Sequence, residues 1–340
     1  MKYRFILVFL IGIQKVFCQA GTDHPTLLFS TKEMSRVAID SIYYYPFKAI
    51  DSNGNTLSYF VKELPFWLHF NPAIPAVSGK PVKRGQFPVH LFVSNGKDTV
   101  GQYFMITVFD RETANILCLG NSLTNGTSIF NSYRRSLWQM LYASNYNFDF
   151  IGSWSKHHMG GKVPDPDFDM DHEGHSGWTI QNFFSPPDWD SARGNIQSWL
   201  KTYTPGIVLV ELGTNDVFQC RKVGDMIKDF SRMVRLLRQK NKKVKIFIAQ
   251  IPPLGPKWST QKLCGNDTTY DRAIRNLNKN IAAFAKMSTT PNSPIIVVDQ
   301  FSGIDPSASM YDDIHPNDLG EKLMAERWFK AIRPYLKKLH

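Results

Sequence analysis

After its first two dozen residues the chain has no apolar run near the roughly 18 residues that a bilayer-crossing helix needs, so no integral membrane segment is expected past that point. Cysteine is scarce: four in 340 residues, at positions 18, 118, 220 and 264. Acidic residues are in deficit as well, 29 against 40 Lys and Arg, for a net charge of +11. No nucleic-acid motif accompanies that charge. It gathers on three helical stretches, Arg221–Lys245, Arg272–Lys286 and Arg327–Lys338, between core-facing apolar positions, and so reads as solvated helix faces with no nucleic-acid partner. The crowded acidic and histidine run from Asp165 to His175 lacks the spacing of a helical metal-ligand pair, so no metal is expected there.

Apolar residues make up 43% of the chain, enough for a globular protein with an ample core. The start reads as a signal peptide over residues 1–20: a basic Met1-Lys2-Tyr3-Arg4, an apolar Phe5–Ile13, and Cys18-Gln19-Ala20 before a cut near Gly21. The expectation is an exported protein, periplasmic or extracellular. A lipid anchor on Cys18 fits less well, because Val16-Phe17 lacks the small residues of such a cleavage site. Cys118 then lies inside an apolar strand as a core residue. Cys220 and Cys264 lie in polar loops just beyond strands, where export permits a disulfide that spacing alone leaves open.

Residues 21–112 have an all-β texture. Alternating runs at Thr56–Val61, Val89–Val93 and Tyr103–Phe109 are separated by turn signals at Asp51–Gly54, Ser78–Pro81 and Ser94–Gly96, the pattern of a small β-sandwich. Asp51, Asn53 and Asn55 read as an Asn-Gly hairpin, and the aspartate clusters of a calcium site are missing. Trp67 reads as a core anchor. The segment resembles the immunoglobulin- or cadherin-like modules of exported bacterial proteins.

Residues 113–340 alternate strand and helix. Strands are predicted at Ile116–Leu119, Phe148–Gly152, Ile207–Leu212, Val244–Gln250 and Ile295–Asp299. Helices are predicted at Phe130–Ser144, Ser191–Tyr203, Val223–Lys240, Thr268–Lys286 and Pro316–Lys338. This is an α/β pattern: a five-stranded parallel sheet between two helical layers, in the order 2-1-3-4-5. The first and third strands are then neighbours, and the turns after them, at Ser122 and at Gly213-Thr214-Asn215-Asp216, face one crevice.

Ser122 follows Gly120-Asn121 in a sharp strand-to-helix turn, where a serine is either a cap or a nucleophile. A serine hydroxyl needs a base, and the base needs orienting. Among nine histidines, His315 stands in Asp312-Asp313-Ile314-His315-Pro316, with Asp312 three residues before it and a proline-started helix after it. Asp313 reads as a surface charge. Asn215 offers an amide that can donate to a developing oxyanion, and Gly177 lets a ligand approach the backbone closely.

These four blocks, Gly120-Asn121-Ser122-Leu-Thr, Gly177, Gly213-Thr-Asn215-Asp216 and Asp312-x-x-His315-Pro316, resemble in order those of the GDSL/SGNH hydrolase family over residues 115–340. The resemblance implies a flavodoxin-like three-layer αβα hydrolase with Ser122 as nucleophile, His315 as base and Asp312 as its orienter. It implies an oxyanion hole made by the backbone N–H groups of Ser122 and Gly177 and the Asn215 side chain. The family's usual aspartate before the serine is Asn121 here, which alters local hydrogen bonding. The stretch Asp171–Ile180 resembles in particular members that remove acetyl groups from polysaccharides, acetylxylan esterases among them. Trp178 then reads either as a sugar or acyl platform or as a packing residue. The reading is an exported serine esterase acting on acetylated poly- or oligosaccharide without a cofactor. A lipolytic acyl esterase and an inactive carbohydrate-binding protein are the alternatives.

Overall fold

The computed structural model describes residues 27–157, 163–265 and 268–339. The signal-peptide reading of residues 1–20 and the Cys18 anchor lie outside the described residues. Among the described residues no helix is long and apolar enough to cross a membrane.

The N-terminal region is all strand: β1 (Leu27–Phe29), β2 (Arg36–Ala38), β3 (Tyr43–Pro46), β4 (Ala49–Asp51), β5 (Ser58–Glu63), β6 (Leu68–Asn71), β7 (Ala76–Gly79), β8 (Gly85–Ser94) and β9 (Thr99–Phe109). They form sheets β2-β9-β8-β5 and β3-β7-β6, with β1 and β4 as a separate pair. Tyr43, Phe47, Trp67, Val89, Leu91 and Phe104 bury the face between the sheets. The expected Asn-Gly hairpin is a turn but not a hairpin, since β4 pairs with β1 and β5 with β8. Asp51 holds that turn, accepting from Asn53 N at 3.0 Å, Asn55 Nδ2 at 2.6 Å and Asn95 Nδ2 at 3.2 Å.

The C-terminal region has strands β10 (Ala114–Gly120), β11 (Phe148–Ile151), β12 (Glu173–Gly174), β13 (Ile207–Glu211), β14 (Lys245–Gln250) and β15 (Ile295–Asp299). Its helices are α1 (Ser122–Asn125), α2 (Tyr133–Ala143), α3 (Ile196–Thr202), α4 (Thr214–Phe218), α5 (Val223–Lys240), α6 (Pro256–Ser259), α7 (Tyr270–Ser288), α8 (Pro306–Ser309) and α9 (Asp318–Ile332). All pairings in this sheet are parallel, in the order β11-β10-β13-β14-β15, which is the expected 2-1-3-4-5. The two-residue β12 adds to the end of β10 and was not foreseen. Each strand buries both faces. Leu117, Val208, Val210, Ile246 and Ile248 meet α3, α5 and α7, while Ile116, Cys118, Leu209 and Phe247 meet α2 and α9.

Helix α9 begins at Asp318, so Pro316 precedes the cap instead of opening the helix. Asn317 is the cap, its Oδ1 accepting from Leu319 N and Gly320 N. The helix gives way to a 3₁₀ turn at Arg333–Tyr335, where Pro334 cannot continue the ladder.

The two regions meet through buried charge. Arg36 pairs with the wholly buried Asp149, and Ser35 Oγ donates to Asp171 Oδ2 at 2.8 Å. Gln86 Nε2 donates to Phe148 O at 2.9 Å, and Gln86 Oε1 accepts from Trp138 Nε1. Burial pushes the Asp149 carboxyl up to about 6, against the opposing pull of the Arg36 guanidinium. Replacing Arg36 with Met leaves Asp149 buried without its counter-ion. The expected loss is about 3 kcal/mol at pH 8 and smaller at pH 5, where Asp149 takes up a proton. Thermal unfolding midpoints of Arg36→Met and wild type at both pH values check this.

Candidate active site

Ser122 is the first residue of α1, at the C-terminal end of β10. The turn is tight because Gly120 has no side chain: a Cβ there would lie 2.2 Å from Thr124 Oγ1 and 2.7 Å from Glu211 O. Asn121 caps the helix, its Oδ1 accepting from Leu123 N at 2.9 Å, as an isosteric aspartate also would. Its Nδ2 is buried with no acceptor among the described residues, which is the local difference this asparagine makes.

From beyond β15, at the same end of the parallel sheet, the loop before α9 brings His315 to the serine. His315 Nε2 lies 2.9 Å from Ser122 Oγ, and Nδ1 lies 2.8 Å from Asp312 Oδ2. A carboxylate only accepts, so the ring proton sits on Nδ1 and Nε2 is left to accept from the hydroxyl. Asp312 Oδ1 also accepts from His315 N at 2.7 Å and Ile314 N at 3.0 Å. Partial burial raises the Asp312 carboxyl, but the His315 side chain and these two N–H groups outweigh it and hold the group below its ordinary range. Asp313 is only half exposed. Its backbone takes φ 68° and its carbonyl accepts from Gly255 N at 2.8 Å, so it fastens this loop to the turn before α6.

The Gly177 segment is stitched to both sheet turns. Asn125 Nδ2 donates to Ser176 Oγ at 2.9 Å, and His175 N donates to Gly120 O at 2.8 Å. From the β13 side, Asn215 Nδ2 donates to Trp178 O at 2.9 Å, and Asp216 accepts from Ile180 N at 3.0 Å. Gly177 lies between these anchors, solvent-exposed and at φ 80°. Asn215 Nδ2 carries a second hydrogen beyond the one given to Trp178. Ser122, His315 and Asp312 are thus joined directly, while the Gly177 segment is tied to the turns after both β10 and β13.

Trp178 does not belong to the crevice, which corrects its reading as a substrate platform. It is wholly buried, stacked on His175 at 4.2 Å and edge-on to Phe183 at 5.3 Å, with Nε1 donating to Asp190 Oδ2 at 3.0 Å. Amphipathic residues next to a turn glycine look alike in sequence whichever way they point. The run from Asp165 to His175 likewise disperses. Asp167 pairs with Arg135, Asp169 accepts from Phe150 N, Asp171 faces Ser35, and Glu173 is bonded by Tyr203, Ser153 N and His175. Cys220 and Cys264 are joined as a disulfide with Cα atoms 6.3 Å apart, away from the crevice. Cys118 is buried and unpaired.

Two supporting residues escape sequence reasoning. Arg134 is wholly buried and closes the C-terminal end of α1, donating from Nε to Thr124 O at 2.7 Å and from Nη2 to Asn125 O at 3.1 Å. Its helical spacing to Leu137, Trp138 and Leu141 was the available signal, since it puts an arginine on the core stripe. Glu211 stands opposite Gly120 at the end of β13, wholly buried, with neither carboxyl oxygen hydrogen-bonded among the described residues.

A model of the GDSL-like lipase/acylhydrolase family matches residues 118–323, and an Ig domain model matches residues 26–109. The first match covers more than half of the chain, which belongs to the GDSL-like lipase/acylhydrolase family. A multidomain esterase of Ruminococcus flavefaciens is 29% identical over 237 residues, 66% of this chain, and the chain spans 29% of that protein's length. A carbohydrate esterase family 3 structure from Talaromyces cellulolyticus is 27% identical with a TM-score of 0.53, covering 66% of this chain and 98% of the other. An acetyl esterase mutant solved with an acetate ion matches with the same identity, TM-score and coverage.

Burial alone raises the Glu211 carboxyl from its ordinary 4.5 to about 8, so the folded protein holds a proton there that the unfolded chain releases. This contribution to stability is present at low pH and is lost as pH rises towards 8. Glu211→Gln keeps the shape without the titration. Its unfolding midpoint is expected to gain on wild type from pH 5 to about pH 8 and to level off above it; a constant offset across that range contradicts a buried neutral acid.

Proposed function

We propose that this protein is an exported serine esterase that removes acetyl groups from poly- or oligosaccharides through an acyl-enzyme on Ser122. The observation that carries the reading is the hydrogen-bonded chain Asp312–His315–Ser122, with steps of 2.8 and 2.9 Å. His315 Nε2 takes the Ser122 proton as Oγ attacks the ester carbonyl. It returns that proton to the departing sugar oxygen, and then activates water against the acyl-enzyme. Asp312, held ionised by its three donors, fixes the tautomer and balances the imidazolium as it forms.

The oxyanion would be met by three donors. Ser122 N–H sits at the first helical position, where no intrahelical acceptor exists. Gly177 offers an exposed N–H, and Asn215 the free hydrogen of Nδ2. This chemistry is carried by protein groups alone. Similarity to a carbohydrate esterase family 3 structure and to an acetyl esterase that holds acetate supports a carbohydrate acetyl ester as substrate. A basic, then apolar N-terminus supports export. The all-β region before residue 113 is proposed as an accessory module, with the hydrolase unit following it.

Ser122→Ala is expected to lower acetate release from acetylated xylan by about 10⁴-fold or more while leaving the circular dichroism and unfolding midpoint intact. Asp312→Asn is expected to cost at least ~10²-fold in kcat by allowing the wrong imidazole tautomer. A panel of acetylated polysaccharides, acetylated monosaccharides and longer acyl esters decides the substrate class. A steep preference for long chains would move the reading to a lipolytic esterase, and an inert protein that binds the polysaccharide would move it to a glycan-binding protein.

A further inference from the structure

Trp189 is an exposed aromatic residue beside the oxyanion-hole glycine, on a backbone segment that is firmly tied down. The indole is 66% exposed. A Cβ built on Gly177 would lie 3.6 Å from its Cη2 and 3.9 Å from its Cζ2, so the benzo edge overhangs the glycine. The 3₁₀ segment that carries it, Asp188–Arg193, is pinned just after the tryptophan. Asp190 accepts from Trp178 Nε1 at 3.0 Å and from Arg193 Nε at 2.9 Å. The Arg193 guanidinium lies 3.3 Å above the Trp154 ring, and its carbonyl accepts from Trp199 Nε1 at 2.7 Å. The chain thus displays a large apolar ring to water on a support that keeps it from folding away.

An acyl-chain pocket would enclose its apolar lining. An open, half-wet indole suits instead a ligand with an apolar face and a polar rim, and a pyranose ring has that character: C–H groups on one face, hydroxyls around the edge. We infer that Trp189 is a sugar-stacking subsite at the rim of the crevice, binding the saccharide part of the ester and not its acyl part. The inference rests on the esterase reading above and deepens it by assigning the group that selects a saccharide.

The test compares full-length wild type, Trp189→Ala and Trp189→Phe on an acetylated xylo-oligosaccharide and on ethyl acetate, whose leaving group has no ring face. The expected result is that Trp189→Ala lowers the ratio of kcat/KM for the oligosaccharide over ethyl acetate about tenfold, mainly through KM, and that Trp189→Phe recovers most of it. Equal losses on both esters, no change in the ratio, or a loss that appears on ethyl butyrate but not on ethyl acetate would overturn the subsite. A binding measurement separates it from the esterase reading. Ser122→Ala protein is titrated calorimetrically with unacetylated xylo-oligosaccharide, with and without the Trp189→Ala change. If wild type releases no acetate from any saccharide while Trp189-dependent binding persists, the substrate reading falls and the subsite stands. If acetate is released but neither KM nor binding depends on Trp189, the subsite falls and the esterase reading stands.

Discussion

The parallel pairing of β10 with β13 is the constraint on which the crevice depends. Gly120 stands opposite Glu211, and Asn121 N donates to Glu211 O at 3.3 Å, so the turns that follow the two strands leave the sheet side by side. Chain direction does the rest. All five long strands run the same way, so every strand-to-helix turn opens at the same edge, and the switch in strand order at β10 and β13 parts the helices above it. Gly120 is required because any side chain would collide with Thr124 and the β13 backbone, forcing apart the two strands whose proximity brings Ser122 near Asn215.

Beneath that edge the structure has more buried polarity than a catalytic crevice alone would demand. Arg134 closes the end of α1, Asp216 grips the Gly177 segment while pairing with Arg221, and Glu211, its carboxyl pushed up by burial, stands opposite Gly120 at the Ser122 turn. Arg134 and Asp216 each remove freedom from backbone groups of the segments that carry Ser122 and Gly177, the kind of restraint that preorganisation requires. The joint between the all-β region and the hydrolase region uses the same device. Asp149, Asp169 and Asp171 are all buried there, and burial raises each of their carboxyls. With Arg36 and Ser35 reaching across from β2 and the residue before it, the two regions are fastened by specific polar contacts rather than by a greasy face that any surface could satisfy.

The hydrolase fold was legible because its signals are periodic and local. Val223–Lys240 is an eighteen-residue amphipathic helix with the boundaries its pattern announces, and Ile295–Asp299 is likewise the strand it looks like. β12 was not legible: two residues in a loop pair with β10 where tertiary contacts such as Asn125 to Ser176 and His175 N to Gly120 O hold the loop against the strand end. The Asp51–Asn55 turn was recognised as a turn, but its flanking strands find partners elsewhere, since pairing is a long-range choice that local turn chemistry does not make.

Sequence alone determined the strand-turn-helix around Ser122, the order of the four blocks and the pairing of Asp312 with His315, because a three-residue spacing in one loop lets side chain and ring meet without help from the rest of the chain. Only the tertiary structure decided which tryptophan stands exposed beside Gly177. Trp178 and Trp189 are both aromatic residues within a polar loop, and nothing local distinguishes them. The stack of His175, Trp178 and Trp199 fills the space behind Gly177, so the first ring is consumed by the core and the second is left standing in water beside the glycine.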